Sequence, residues 1–115
     1  MPIDVSKLRK LLAMDENDAL SRYALGRKLF EEGASEAEWR EAAEHLRFAQ
    51  RLNPEHLATY HVLAQVLLRL GLIDEARDVL RAGVAKTAAA GECMGRDLGP
   101  VMEEMLADLP GRGST

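Results

Sequence analysis

Only one of the 115 residues is a cysteine, Cys93, so no internal disulfide can form and a reducing compartment is expected. Aromatic residues make up 4% of the chain, and no alternating apolar pattern of strand length occurs, which argues against a sheet. No apolar run approaches the roughly 20 residues that a bilayer span requires. The opening stretch MPIDVSKLRKLLAMDEND does not read as a secretory signal. Lysine and arginine interrupt its apolar positions, and no small-residue cleavage site follows. A cytoplasmic location is therefore the expectation. Positive charge is also in deficit: the net charge of −4 argues against non-specific binding to nucleic acid, which needs a basic footprint.

Chemistry-bearing motifs are equally sparse. No phosphate loop occurs, and the spaced glycines Gly91, Gly95 and Gly99 follow no strand, so they read as a loop and helix boundary. A nucleophilic role for Cys93 needs a base, yet no recognisable motif ties it to His45, His56 or His61. His56 and His61 are five apart, which puts them on different helix faces and argues against a metal pair. The carboxylates Glu31, Glu32, Glu36, Glu38, Glu41 and Glu44 are interleaved with Arg40, Arg47 and Arg51, as on a solvated helix face with pairs such as Glu36–Arg40. No catalytic residue, cofactor or metal ligand is expected.

What is present is helical. Hydrophobic residues reach 47% and charged residues 30%, with alanine and leucine prominent, a balance for close-packed helices in one soluble domain. Periodicity and caps predict six helices. The first covers about Val5 to Met14, with Asp4 as cap, Ile3 stapled on Leu8, and Leu8, Leu11 and Leu12 on one face. The second runs from Ala19 to Glu32, capped by Asp18, with the stripe Leu20, Ala24, Leu25, Leu29 and a stop at Gly33. The third starts after Ser35, where Ser35 and Glu38 have capping-box spacing, buries Trp39, Ala42, Ala43, Leu46 and Ala49, and ends at Asn53-Pro54. The fourth runs from about His56 to Leu70 with Tyr60, Leu63, Ala64 and Leu67 inward. The fifth, from Ile73 or Asp74 to Ala90, turns in Ile73, Ala76, Leu80, Gly83 and Val84 and is capped by Gly91. Asp97 caps the last helix, which has Pro100 in its first turn and Leu98, Val101, Met102, Met105 and Leu109 on one side. Met94, Met102 and Met105 read as a cap packed on the fifth helix.

The helices repeat. Ala42, Leu46, Ala49 and Pro54 return as Ala76, Leu80, Gly83 and Ala88, each 34 positions later (76−42). A period of about 34 residues with small residues at crossing points marks a stacked array of helical hairpins. Gly83 in mid-helix costs about 1 kcal/mol relative to alanine, which a close helix crossing would offset.

These residues resemble the tetratricopeptide repeat, whose pattern reads W-x₂-L-G-x₂-Y, then A-x₃-F, then P. Leu25, Gly26, Leu29, Gly33, Ala42, Leu46 and Pro54 match it in the first unit. Tyr60, Leu63, Ala64, Leu67, Gly71, Ala76 and Leu80 match it in the second. Arg22 stands where the family usually has a large apolar residue, and Ala88 replaces the terminal proline. Leu25 and Leu63 are 38 apart (63−25), four more than the period, so one helical turn is inserted ahead of Ala42. The resemblance implies an all-α, right-handed superhelical array in one domain: a capping helix over 4–14, a first unit over 19–56 lengthened by four residues, a second over 57–90, a capping helix over 97–109 and a flexible tail over 110–115. The layout is similar to that of small bacterial two-repeat proteins with a flanking helix at each end.

In that family the first helix of each hairpin lines a concave groove that holds an extended peptide or a partner helix. The resemblance places Tyr23, Arg27 and Phe30, then His61, Gln65, Leu68 and Arg69, on that surface. Arg27 and Arg69 would hold a carboxylate, Tyr23 and Phe30 would give an apolar anchor, and Gln65 would bond a peptide backbone. Arg27 and Gln65 replace the asparagines of the clamp found in chaperone-binding members, so a chaperone tail is not expected. The reading is a non-enzymatic interaction module for a protein or peptide, acidic or with a free C-terminus. Self-assembly into a homodimer through the last repeat or the C-terminal helix is the alternative. An enzyme using Cys93 is a third possibility, and the lack of a convergent acid, base and nucleophile counts against it.

Overall fold

A computed structural model describes residues 4–90 and 98–110. Expectations that fall on Ile3, Gly91, Cys93, Met94, Gly95, Asp97 and the tail over 111–115 lie outside those residues. Among the described residues six helices occur and no strand: α1 (Val5–Met14), α2 (Ala19–Glu32), α3 (Glu36–Leu52), α4 (Leu57–Arg69), α5 (Ile73–Ala90) and α6 (Leu98–Ala107). The chain is thus all-α, an array of antiparallel hairpins of tetratricopeptide type.

Local chemistry sets the boundaries. Asp4 accepts from the Lys7 N–H at 2.9 Å, and Asp18 accepts from the N–H groups of Leu20 and Ser21 at 3.1 and 3.3 Å. Ser35 Oγ accepts from Glu38 N–H at 3.2 Å, while the Glu38 carboxylate accepts from Ala34 N–H at 3.1 Å, one residue earlier than a capping box usually reaches. At the end of α4 the Leu72 N–H donates to Leu67 O and the Gly71 N–H to Leu68 O, a Schellman closure that puts Gly71 at φ 80. Gly33 closes α2 differently, at φ −73 in extended geometry. Relative to the small residue at each crossing, α3 starts six residues ahead of Ala42 (42−36) and α5 three ahead of Ala76 (76−73), so α3 carries an added turn at its start.

α2 packs on α3 and α4 on α5 as hairpins, α3 meets α4 between them, and α1 and α6 flank the array against α2 and α5. The small residues sit at the crossings. Ala42, Ala64 and Ala76 have no exposed surface, Ala49 has almost none, and Gly26 and Gly83 are buried. Leu25, Leu46, Leu63, Leu67, Leu80 and Met102 fill the space that these close approaches enclose. Met102 reaches across α5, and its thioether lies over Gly83.

Three expected core positions face outward. Leu11 is 41% exposed, Leu20 63% and Val101 41%. Each lies at the exposed edge of its stripe. Arg22 is held where the family pattern prefers an apolar residue. Its guanidinium stacks 4.0 Å from the centroid of Phe48, and it donates to Glu16 O at 3.0 Å and to His45 Nδ1 at 3.1 Å. Arginine has no acceptor, so His45 Nδ1 must accept and the ring proton sits on Nε2, which donates to Glu41 at 3.2 Å. Glu41 also receives both arms of Arg9, at 2.6 and 3.1 Å, which ties α1 to α3. That bidentate bond holds the Glu41 carboxyl below its ordinary pKa.

Candidate functional site: the groove between α2 and α4

Helical spacing builds this site. Tyr23, Arg27 and Phe30 fall one turn apart along α2, and Ala58, His61, Val62 and Gln65 do the same along α4. The two rows face each other across an open pocket of about 370 Å³, which Glu31 also lines. Five of the seven residues expected on the binding surface, Tyr23, Arg27, Phe30, His61 and Gln65, are therefore brought together. Leu68 is half-buried and packs against the core instead. Arg69 stands at the end of α4, outside the pocket lining, with its guanidinium 5.6 Å from the Phe30 centroid and 5.1 Å from that of Trp39.

Electrostatics modify the simple picture of a basic groove. The Arg27 Nε–H donates to Glu31 at 2.9 Å, an i,i+4 pair on the surface of α2. This hydrogen bond raises the Arg27 pKa further above its already high value. Tyr23 also hydrogen-bonds the Arg27 side chain, so any incoming carboxylate must share the guanidinium with Glu31 and Tyr23. Tyr23 is fixed by an edge-to-face contact with His56, with centroids 4.7 Å apart and planes at 79°. His56 is fixed in turn by Thr59 Oγ1 at 2.8 Å from its Nδ1. A rigid aromatic ring with a polar tip thus forms one wall.

His61 is the titratable group of the α4 wall. Burial disfavours its charged form and lowers its pKa from 6.5. Because the folded pKa is lower than the unfolded one, the unfolded chain binds more protons as pH falls through that value. Stability should therefore drop between about pH 7.5 and 5.5. Carboxylates such as Glu41 and Glu75, whose folded pKa values are lowered from 4.5, act only in more acid solution. Urea midpoints at the two pH values should differ in the native chain and differ less in His61→Gln. An unchanged difference in the variant would remove His61 as the cause.

Two contributors were not expected. Glu31 could have been found from its i+4 spacing to Arg27. The Trp39–Arg69 contact had no local signal, because it joins the start of α3 to the end of α4. Trp39 is half-buried and donates its indole N–H to Gly33 O at 3.3 Å, which orients the ring toward Arg69. Among the described residues no group of three or more His, Cys, Asp or Glu side chains could hold a metal ion, and no helix is long and apolar enough to cross a membrane.

Comparison with known proteins agrees with the repeat architecture. No curated protein matches the chain significantly. A family model described as anaphase-promoting complex, cyclosome, subunit 3 matches residues 7–83, from α1 to the crossing glycine of α5 and about two thirds of the chain. Repeats of this type generally form non-catalytic scaffolds that bind proteins or peptides. The chain therefore belongs to the anaphase-promoting complex, cyclosome, subunit 3 family, a family of tetratricopeptide-type repeats.

Proposed function

We propose that the α2–α4 groove holds an extended segment of a protein partner that ends in, or carries, a carboxylate. The observation that carries this reading is the convergence of Tyr23, Arg27, Phe30, His61 and Gln65 on one open pocket. Tyr23 and Phe30 supply an apolar anchor of fixed orientation. Gln65 offers a donor and an acceptor to a peptide unit, as an extended backbone requires. Arg27 would share its guanidinium between Glu31 and a carboxylate, and Arg69, close to the rings of Phe30 and Trp39, would meet an anion at the far end.

A displayed library of random peptides with free C-termini, selected on the purified chain, tests the proposal. Selected peptides should share a terminal or acidic carboxylate and an apolar residue. Arg27→Glu should weaken their binding at least about tenfold, the scale on which truncating a charge-assisted contact acts. Peptides that bind Arg27→Glu and Gln65→Ala as well as they bind the native chain would place the binding surface elsewhere.

A further inference from the structure

We propose that the chain associates head to tail, with α6 of one copy pairing antiparallel to α1 of the next. Among the described residues, neither α1 nor α6 has a hairpin mate. α1 lies against the first helix of a hairpin, α2, as α3 lies against α4. It thus stands where the second helix of a preceding hairpin would. α6 lies against α5 as α4 lies against α3, so it stands where the first helix of a following hairpin would.

The unpartnered faces match in chemistry and in direction. On α1, Lys7, Lys10, Leu11 and Met14 follow i, i+3, i+4, i+7 spacing on one exposed stripe, opposite the buried Leu8 and Leu12. Met14 is 84% exposed, unusual for so apolar a side chain. On α6 and just beyond it, Val101, Glu104 and Asp108 form the exposed stripe opposite the buried Met102. Asp108 still belongs to the helical surface, since its N–H donates to Glu104 O at 3.1 Å. α1 contains three basic residues (Lys7, Arg9, Lys10) and no acid, whereas α6 contains two acids (Glu103, Glu104) and no base. Among the described residues, Lys7, Lys10, Glu104 and Asp108 make no ion pair.

Antiparallel pairing, the arrangement within a hairpin, sets the start of α1 against the end of α6. Lys7 then faces Asp108, Lys10 faces Glu104, and Leu11 and Met14 cover Val101. A symmetric pairing of α6 with α6 would instead set two acidic stripes against each other with no base to offset them. The contact joins two different surfaces, so it can repeat from copy to copy and adds copies in a concentration-dependent way. One helix pair is a small interface, and the association is accordingly weak.

Sedimentation velocity across a concentration series tests this. The native chain should show a weight-average mass that rises with concentration and falls with added salt. Lys7→Glu/Lys10→Glu and Glu104→Lys/Asp108→Lys should each weaken association at least about tenfold, because like charges then face each other. An equimolar mixture of the two variants should regain it, since each reversed end finds its opposite. The chain carrying all four substitutions should also regain it. A native chain that stays monomeric up to millimolar concentration overturns the proposal, as does a mixture that remains monomeric while both variants keep native circular dichroism.

Discussion

Gly26→Ala should destabilise the chain by about 1–3 kcal/mol, although alanine is the better helix former by about 1 kcal/mol. A Cβ at this position would lie 2.6 Å from Leu46 Cγ and 3.0 Å from Ala42 O. Leu46 is wholly buried, and the Ala42 carbonyl belongs to the backbone of α3, so neither can step aside without moving a helix. Gly83→Ala should cost less. Its Cβ would meet Met102 Sδ at 2.7 Å and Tyr60 Cβ at 2.9 Å. A thioether can turn away, whereas Tyr60 is pinned by its hydroxyl donating to Pro54 O at 2.7 Å. Chemical denaturation of both variants checks the order. In a domain of this size each kcal/mol shifts the melting midpoint by about 4–8 °C, so the Gly26 effect is easily seen. A neutral or stabilising Gly26→Ala would mean that α2 and α3 are not held at close approach.

Arg77→Ala should cost about 2–3 kcal/mol and loosen α6 selectively. Arg77 is an arginine buried within α5. Its guanidinium donates to Asp74 at 2.8 Å and to the carbonyl of Pro110, three residues past the end of α6. The Asp74 partner is largely exposed, so that ion pair contributes little, and the loss comes from the hydrogen bond to Pro110 and the vacated space around the buried Arg77 side chain. Arg77→Lys keeps the charge but not the fork that reaches two acceptors, and should fall between native and alanine. Hydrogen exchange followed by mass spectrometry should show faster exchange over 98–107 in Arg77→Ala, with α2 to α4 changed much less. Uniform acceleration over the whole chain would assign Arg77 to global stability and not to docking of the last helix.

The array was legible because its geometry is written in residue size and spacing. Gly26, Ala42, Ala64 and Ala76 mark helix crossings wherever they recur, and Asp4, Asp18 and Ser35 announce helix starts through their own hydrogen bonds. The outer faces were less legible. Leu11, Leu20 and Val101 match an apolar stripe by period, yet the period alone does not tell whether a neighbouring helix covers the edge of a stripe. The groove was readable as a set of positions but not as an electrostatic surface. Arg27 and Arg69 look like two free cations in one dimension. In the fold Glu31 takes one arm of Arg27, and Trp39, near the start of α3, claims Arg69 from thirty residues away (69−39). Contacts of that separation have no local signature.

The groove reading is tested most directly by mapping amide chemical shifts in the ¹⁵N-labelled chain during titration with a library-selected peptide. The account expects the largest shifts at Tyr23, Arg27, Phe30, His61 and Gln65, with α3 and α5 nearly silent. Shifts concentrated on the outward faces of α3 and α5, or on α1 and α6 alone, would contradict it.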